Sequence, residues 1–363
     1  MDFSELASII NLNSYTKNKC GVDQNGVIFR GWMEALGYKC TVFPRTEIGD
    51  HLLFNAPLQK EGKRVLLLGH LDTVFPPNTF VAFSEDEEWV YGPGVCDMKG
   101  GNIVALEALR AVKATHGAIS NIDMLLVSDE ESGSDDSKKL TAELAKDYDL
   151  CLVFEAAGVD HEVVIGRKGV GTFTISLLGK AAHAGNHYIS GCNANLAAAH
   201  MIIKLTELTN LAEGTTVNAG KFSGGIGANT ISPKAEIVVE IRYTQSHEKE
   251  RLLLAVQAII DQTFVEGVTA TMTGGIQRDV MQPSDNQAQL LEQLESILGY
   301  PLKTEKRGGV SDANIVSAAG VATLDGFGPF GDGDHTIHER AKKTSFHQRI
   351  DEMTKILLAF NVR

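Results

Sequence analysis

The first part of the chain contains three continuous Val/Leu-rich runs, and each run leads into residue types that bind metals. Runs of this length predict strands buried on both faces, as in parallel or mixed sheets covered by helices. In such sheets, ligands bind beyond the carboxyl ends of the strands. The runs and the residues that follow them are 65–69 with His70 and Asp72, 124–127 with Asp129, Glu130 and Glu131, and 152–154 with Glu155. We therefore expect these side chains to meet at one edge of a sheet.

Helices are predicted between the strands. Residues 98–115 carry apolar side chains at helical spacing, from Ile103 to Val112. A second helix is predicted over 137–148, before the run that leads to Glu155. This alternation of strands and helices indicates an α/β fold with a helix-covered mixed sheet.

The middle of the chain has a different pattern, in which apolar and polar residues alternate as in half-buried strands. The predicted elements are, in order, a strand over 173–178, a helix over 193–208, strands over 215–222 and 235–243, a helix over 248–262 and a strand over 268–273. The order β-α-β-β-α-β is that of the ferredoxin-like sandwich, which is able to fold as an insertion. We therefore expect an inserted domain over 168–275.

Beyond residue 275 the pattern returns to helices and buried runs, over 286–298, 311–319, 321–324 and 345–360. Asp312 is expected in the first turn of the second of these helices, where a carboxylate interacts favourably with the helix dipole. A chain of 363 residues exceeds the size at which one hydrophobic core keeps growing, so two domains are expected. We predict a discontinuous first domain, 1–167 and 276–363, around the insertion.

The composition is that of a globular protein and disfavours nucleic acid as a partner. Hydrophobic residues make up 43% of the chain and charged residues 22%, with a formal net charge of −13. Nucleic-acid binding needs a basic surface, and the sequence contains no stripe of Lys and Arg. No apolar stretch approaches the ~20 residues of a membrane helix. We expect neither nucleic acid nor a membrane as a partner.

Cysteine usage indicates a reducing compartment. The five cysteines are scattered and lack the C-x-x-C spacing, which disfavours a disulfide framework. The first residues are acidic and show no signal-peptide pattern. We predict a cytoplasmic protein.

Two candidate metal ligands precede the first long helix. His70 and Asp72 lie on the same side of an extended segment, where a carboxylate can fix the tautomer of a metal-binding His, although a local hydrogen bond at a strand end is the alternative. Asp97 lies in the glycine-rich segment 92–101, which lacks the ending of a phosphate-binding P-loop. An Asp before a helix is often an N-cap. The neighbouring glycines, which let the backbone approach a metal, favour a ligand.

Further candidates follow the second run and lie near the C-terminus. Glu130 and Glu131 follow a strand end, where successive side chains point in opposite directions. One can therefore bind a metal while the other acts as a general base, the alternative being a solvated acidic turn. His335 directly follows a glycine-rich segment, with Glu339 expected one helical turn later, and His338 is the competing ligand.

Two His and three acidic residues at the ends of elements suit a pair of metals bridged by one carboxylate, roughly 3.5–4 Å apart. Zinc takes mixed His and carboxylate ligands in catalytic sites that keep one position open. The sequence therefore predicts a hydrolytic two-zinc site.

The motif segments occur in a fixed order along nearly the whole chain. They are 69–74, 92–101, 129–134, Glu155, 179–185, 229–232, Arg242, 308–313 and His335-Thr336 with Glu339. Together they closely resemble the co-catalytic zinc peptidase and amidohydrolase family, which includes glutamate carboxypeptidases, acetylornithine deacetylase, succinyl-diaminopimelate desuccinylase and bacterial tripeptidases. The segment 167–169 is most similar to the glutamate carboxypeptidase type.

The resemblance implies a complete set of metal ligands. His70, Asp97 and Glu155 are implied to hold one zinc, and Asp97, Glu131 and His335 the other, so that Asp97 bridges two zinc ions in each subunit. Cobalt or manganese could replace zinc.

The resemblance also implies catalytic roles for Asp72, Glu130 and His183. Asp72 is implied to orient the first His ligand, and Glu130 to be the base that deprotonates the attacking water. His183, expected at the end of the insertion's first strand, resembles a residue that reaches a neighbouring subunit's site to help hold the oxyanion. Arg242 and Asn229 resemble groups that bind the substrate carboxylate. The alternatives are that His183 is an ordinary loop histidine and that Arg242 is a strand arginine facing outward.

The implied activity is hydrolysis of an amide bond next to a free carboxylate in a small peptide, by a carboxypeptidase or exopeptidase of the glutamate carboxypeptidase type. An N-acyl amino acid deacylase is the alternative. The inserted domain is expected to be a lid and to form a homodimer. Cys96, beside Asp97, is expected to be a small buried residue, with an oxidation-sensitive thiol as the alternative.

Overall fold

The computed structural model describes residues 2–80 and 82–362. Its strands are β1 Lys39–Phe43, β2 His51–Asn55, β3 Val65–His70, β4 Ser84–Glu85, β5 Trp89–Tyr91, β6 Ile122–Val127, β7 Leu150–Val153, β8 Val163–Arg167, β9 Gly169–Leu178, β10 Thr216–Gly224, β11 Lys234–Tyr243, β12 Thr269–Arg278, β13 Thr304–Arg307, β14 Ala322–Leu324, β15 Gly331–Asp332 and β16 Arg340–Lys342. Its α-helices are α1 Ser4–Ile10, α2 Lys19–Ala35, α3 Lys99–His116, α4 Ser137–Ala145, α5 Ala194–Thr206, α6 Ser246–Asp261, α7 Asp285–Leu298, α8 Ala313–Ala318 and α9 Lys343–Phe360. Short 3-10 helices span Glu130–Ser132, Tyr188–Ser190 and Leu211–Glu213.

The chain divides into two compact units, Met1–Gly166 with Pro283–Arg363, and Arg167–Gln282. The second unit extends beyond the predicted limit of 275 because β12 continues to Arg278 and Met281 then forms a β-bridge with Arg167. This bridge keeps the two ends of the insertion in one unit.

The central sheet of the first unit has the strand order β1-β2-β6-β3-β7-β14. Strands β6, β3, β7 and β14 are parallel, whereas β2 runs antiparallel to β6 and β1 antiparallel to β2, so the sheet is mixed. Every residue of β3, β6 and β7 is buried, as expected for Val/Leu-rich strands covered on both faces. The carboxyl ends of these three parallel strands therefore lie at the same edge.

Helices α3 and α9 pack against each other in the first unit. Helix α3 buries an apolar face that includes Ile103, Leu106 and Val112, and these side chains join the core formed by the central sheet. It ends at Gly117, whose φ of 79° is left-handed and whose N–H donates to Lys113 O. In the part of the chain that the structure describes, no helix is both long enough and apolar enough to traverse a membrane.

The second unit is an antiparallel sheet with the order β10-β11-β9-β12, and α5 and α6 pack on it. Burial alternates along β11, with Ile237, Val239 and Ile241 in the core and their neighbours facing outward. The chain order β9-α5-β10-β11-α6-β12 is the ferredoxin-like order, so the predicted fold class, a helix-covered mixed sheet with an inserted βαββαβ domain, is confirmed.

Three local predictions need correction. Glu130 and Glu131 lie in a 3-10 turn rather than at a strand end, because β6 already ends at Val127. Glu339 was predicted one helical turn after His335, but the segment between the two residues forms turns and not a helix. Glu339 lies just before β16. Asp312 is the N-cap of α8 rather than a residue of its first turn, and its carboxylate accepts from Ser134 Oγ instead of a backbone N–H of the helix.

Candidate metal centre

Five ionisable side chains converge beyond the carboxyl edge of the central sheet and form two overlapping groups. One group consists of His70, Asp97 and Glu155, and the other of Asp97, Glu131 and His335. Within each group, one ligand atom per residue lies within 4.8 Å of the others. Asp97 belongs to both groups, which is the position that a bridging carboxylate needs.

The two carboxylate oxygens of Asp97 face different histidines. Oδ1 lies 3.2 Å from His70 Nε2, and Oδ2 lies 3.3 Å from His335 Nε2. His70 Nε2 is also 3.8 Å from Glu155 Oε1, and His335 Nε2 is 3.1 Å from Glu131 Oε2. A tetrahedral zinc with bonds of 2.0–2.2 Å separates its ligand atoms by about 3.3–3.6 Å. The observed spacing therefore suits one cation in each group.

His70 is held both at its backbone carbonyl and at its ring. The backbone carbonyl of His70 accepts from Asn102 Nδ2 at 2.7 Å. This approach requires Gly69, since a Cβ there would lie 2.1 Å from Asn102 Oδ1. On the ring, Nδ1 lies 3.0 Å from the Asp72 backbone O and 3.4 Å from its carboxylate Oδ1. With Nδ1 engaged by Asp72, Nε2 is the ring nitrogen left to bind a cation placed between His70 and Asp97.

Asp72 is fully buried and connects the His70 strand to the Glu130 turn. Its carboxylate accepts from Thr16 Oγ1 at 2.6 Å, from Glu130 N at 3.3 Å and from Glu131 N at 3.2 Å. One side chain therefore positions a candidate His ligand, a candidate carboxylate ligand and the candidate base.

The Glu130 turn is not a solvated acidic turn. Glu130 is 8% exposed, and the side chain of Glu131 is 3% exposed. Glu130 directly precedes the candidate ligand Glu131 in this turn, and Asp72 accepts from the backbone N–H of both residues. A buried carboxylate next to a candidate metal ligand is suited to act as a general base.

The loop that carries Asp97 is held by a buried carboxylate. Glu339 accepts from the backbone N–H of Gly94 at 2.9 Å, of Cys96 at 3.0 Å and of Asp97 at 3.2 Å. The N-cap of α3 is Met98. The alternative in which Asp97 is the N-cap is therefore wrong, and its carboxylate faces the two histidines.

Negative charge is concentrated in this site. Burial together with the Asp97 charge raises the pKa of Glu131 to about 8 and raises that of Glu155. Hydrogen bonds with Asp97 and Glu131 raise the pKa of His335 to about 11. Although burial opposes it, the hydrogen bonds from His335 and His70 lower the pKa of Asp97. Buried carboxylates at this density need cations, and the mixed His and carboxylate donors suit two divalent ions.

The sequence interpretation missed several supporting residues. Thr16 lies in an irregular segment far from Asp72 along the chain, and no local pattern signals its contact. Lys99 is buried, and its Nζ donates to Ile9 O at 2.8 Å and Leu12 O at 3.2 Å. Burial lowers the pKa of Lys99 to about 7. A lysine inside the glycine-rich segment 92–101 is a signal that could have been used.

Two of the sequence alternatives are decided by the structure. His338, the competing ligand, is exposed and belongs to neither of the two groups found among the described residues. Cys96 is fully buried, and burial with the nearby Glu339 carboxylate raises the pKa of its thiol well above the ordinary value. It therefore lacks the thiolate character of an oxidation-sensitive cysteine.

The remaining candidates lie in the second unit. His183 is exposed and lies beyond the end of β9, not at it. Its Nδ1 accepts from Gly185 N at 3.2 Å and Asn186 N at 3.1 Å, which places the ring proton on Nε2. A bridge between His183 and Thr230 brings the histidine close to Asn229, whose backbone O accepts from Ala184 N.

Arg242 lies on β11, and its guanidinium is engaged by a neighbour on the same strand face. Nε donates to Glu240 Oε1 at 2.7 Å and Nη2 to Oε2 at 3.3 Å. The side chain is 32% exposed. It therefore resembles an outward strand Arg.

The comparison with protein families decides the assignment. The model for Peptidase family M20/M25/M40 matches residues 66–359. The chain belongs to this family. As a member of the M20 family it is an enzyme of the metallopeptidase and amidohydrolase group.

M20 relatives with different activities are similar over most of the chain. Carboxypeptidase G2 from a Pseudomonas species is 26% identical over 91% of this chain and 82% of its own length. Succinyl-diaminopimelate desuccinylase from Xanthomonas oryzae is 25% identical over 87% of this chain and 88% of its own. The structure of a Staphylococcus aureus tripeptidase covers 98% of each chain with a TM-score of 0.83 and 23% identity.

Proposed function

We propose that this protein is a two-metal exopeptidase of the carboxypeptidase type, which hydrolyses an amide bond next to a free carboxylate in small peptides. The observation that carries the proposal is Asp97, which faces a separate histidine with each oxygen, while the buried Glu130 directly precedes the candidate ligand Glu131. The similarity to carboxypeptidase G2 supports this substrate class.

We propose His70, Asp97 and Glu155 as the ligands of one cation, and Asp97, Glu131 and His335 as those of the other. The mixture of imidazole and carboxylate donors favours Zn²⁺, with Co²⁺ and Mn²⁺ as alternatives. When bound, two such cations polarise the amide carbonyl and make water acidic enough to serve as a nucleophile at neutral pH.

The side chains of this chain then supply proton transfer and orientation. A carboxylate oxygen of Glu130 takes a proton from the attacking water and delivers it to the nitrogen of the leaving amine. Asp72 keeps His70 in the tautomer with Nε2 free and holds the Glu130 turn in place. His183 carries its proton on Nε2, which suits a donor to the developing oxyanion.

Arg242 and Asn229 are proposed to bind the substrate carboxylate. The Arg242 guanidinium pairs with Glu240, and the bidentate geometry in which a guanidinium binds carboxylates suits it to the carboxylate of the substrate. Asn229 is exposed in the turn between β10 and β11, where its side-chain amide is accessible.

An N-acyl amino acid deacylase is the second candidate, favoured by the comparable identity to succinyl-diaminopimelate desuccinylase. The same metal site serves both reactions, and the group on the acyl side of the amide separates them. Purified metal-loaded protein should be assayed with peptides ending in glutamate and, in parallel, with N-acetyl and N-succinyl amino acids. We expect higher kcat/KM for the peptides, and turnover of the acylated amino acids alone would reverse the order of the two candidates.

We also propose a homodimer formed by the second unit. Leu196 and Ile203 are 45% and 57% exposed and lie on one face of α5, since they are two turns apart. The neighbouring β10 is an edge strand, and its Phe222 is 47% exposed. An apolar helix face beside an open sheet edge suits a second copy of the same surface.

The dimer is tested by the mass in solution. Sedimentation velocity should give twice the monomer mass for the wild type and the monomer mass for Ile203→Asp. A monomeric wild type with full activity would remove both the dimer and any contribution of His183 to a neighbouring subunit.

A further inference from the structure

We propose that Glu339 is a positioning residue that sets the distance between the two loops supplying Asp97 and His335, and that it thereby controls binding of the cation that these two residues share. The inference rests on the proposed two-metal function and extends it to a residue outside the ligand set. Glu339 touches neither cation position directly, and it acts through the backbone.

The contacts of Glu339 converge on one loop. Its Oε2 accepts from Gly94 N, and its Oε1 accepts from both Cys96 N and Asp97 N, at distances of 2.9–3.2 Å. Glu339 is 1% exposed, so these hydrogen bonds are shielded from water. Charge-assisted hydrogen bonds of this kind are about twice as strong as neutral ones. The loop is therefore fixed where it presents the Asp97 carboxylate.

Glu339 also belongs to the segment that carries His335. Only turns separate the two residues, and Glu339 N donates to Thr336 O at 3.2 Å. Beyond Glu339 the chain enters β16, which pairs with β5 and fixes the segment to a sheet. The Glu339 carboxylate is consequently a short link between two ligand-bearing loops that are far apart in sequence.

The two cation positions depend on Glu339 to different degrees. The position between Asp97, Glu131 and His335 depends on both loops that Glu339 joins. The position between His70, Asp97 and Glu155 depends on only one of them, because His70 is the last residue of β3 and Glu155 follows β7. The side chain of His335 is 57% exposed, so packing constrains it little and the link through Glu339 matters more.

Three variants distinguish the effect of the Glu339 charge, the effect of its side-chain length and the effect of an unrelated substitution in the same hairpin. Glu339→Gln keeps the length but replaces one acceptor oxygen by an N–H donor. Glu339→Asp keeps the charge but is one methylene too short to serve both Gly94 and Asp97. Asp332→Asn is the matched control, since Asp332 lies in the same hairpin, is 48% exposed and pairs with Arg340. Surface pairs of this kind contribute little to stability.

The test is a titration of the metal-free chain with Co²⁺. Calorimetry measures the affinity for each ion, and the visible absorption of the bound ion reports its coordination geometry. We expect the Gln and Asp variants to bind the first Co²⁺ as the wild type does, and the second about 10–100-fold more weakly, with an altered spectrum. Asp332→Asn should match the wild type.

Two results would overturn the inference. One is binding of two Co²⁺ ions by both Glu339 variants with wild-type affinity and spectrum. The other is loss of both ions together with the far-UV circular dichroism signal, which would assign Glu339 to the fold alone. A wild type that binds fewer than two Co²⁺ ions would instead contradict the proposed function, so the two failures are distinguishable.

Discussion

Replacing Asp72 by Asn changes one atom of the group that connects the His70 strand to the Glu130 turn. The carboxylate accepts from three donors, Thr16 Oγ1, Glu130 N and Glu131 N. The Asn amide has one acceptor oxygen, and its NH₂ group faces donors wherever it points. If the NH₂ group takes the position of Oδ2, the N–H of Glu131 loses its acceptor. If the NH₂ group takes the position of Oδ1, the N–H of Glu130 loses its acceptor.

The magnitude follows from this geometry. A buried donor left without a partner costs about 1–3 kcal/mol. Asp72→Asn leaves one such donor, so the free energy of unfolding of the metal-free protein should fall by about 1–3 kcal/mol. Asp72→Ala leaves both N–H groups and should cost about 2–6 kcal/mol. In both variants the mispositioned His70 and Glu131 should lower metal affinity or kcat by about 10–100-fold.

Urea unfolding of the chelated proteins measures the first quantity, and the slope with denaturant should stay unchanged. Hydrogen exchange should show faster exchange at the Glu130 and Glu131 amides than in the wild type. Steady-state kinetics of the metal-loaded proteins measure the activity. An Asp72→Asn variant with wild-type stability, wild-type exchange at this turn and full turnover would refute the reasoning.

Three further outcomes are expected from other parts of the chain. Glu130→Gln should lower kcat by about 10²–10⁴-fold while metal content, measured by atomic emission, stays at the wild-type level; near-normal turnover would exclude Glu130 as the base. The hydrogen bond with Arg251 lowers the pKa of Glu248 to about 2 from its ordinary 4.5, so its contribution to stability is present above pH 4.5 and is lost as the pH falls toward 2. The difference in free energy of unfolding between the wild type and Glu248→Gln should therefore shrink with acidification, and a difference that stays constant across this range would disprove the linkage. Cys20 is exposed whereas Cys96 is buried, so a thiol reagent should label Cys20 in the native protein and Cys96 only after unfolding; mass spectrometry that finds Cys96 labelled in the native state would show that the loop opens.

Much of the fold was predictable because the relevant forces are local in sequence. The Val/Leu runs of β3, β6 and β7 are continuous because both faces of these strands are covered, and the alternating residues of β11 reflect one buried face. The sequence prediction ended these elements close to the observed residues. It then placed His70 and Glu155 at one edge, since parallel strands end on the same side.

The prediction was weaker where long-range contacts decide the conformation. The Glu130 turn adopts its 3-10 form with its amides bonded to Asp72, which no local pattern reveals. Glu339 was expected in a helix, but the chain at Glu339 leads into β16. Its carboxylate accepts from a loop more than two hundred residues earlier. Contacts of such separation depend on the assembled fold and not on the sequence around either residue.

The central claim is that two cations lie at the carboxyl edge of the central sheet and share Asp97. Anomalous X-ray diffraction at the zinc edge, from crystals grown with Zn²⁺, locates such ions directly. We expect two peaks roughly 3.5–4 Å apart, one between His70, Asp97 and Glu155 and the other between Asp97, Glu131 and His335. A single peak, or peaks that do not share Asp97, would contradict the account.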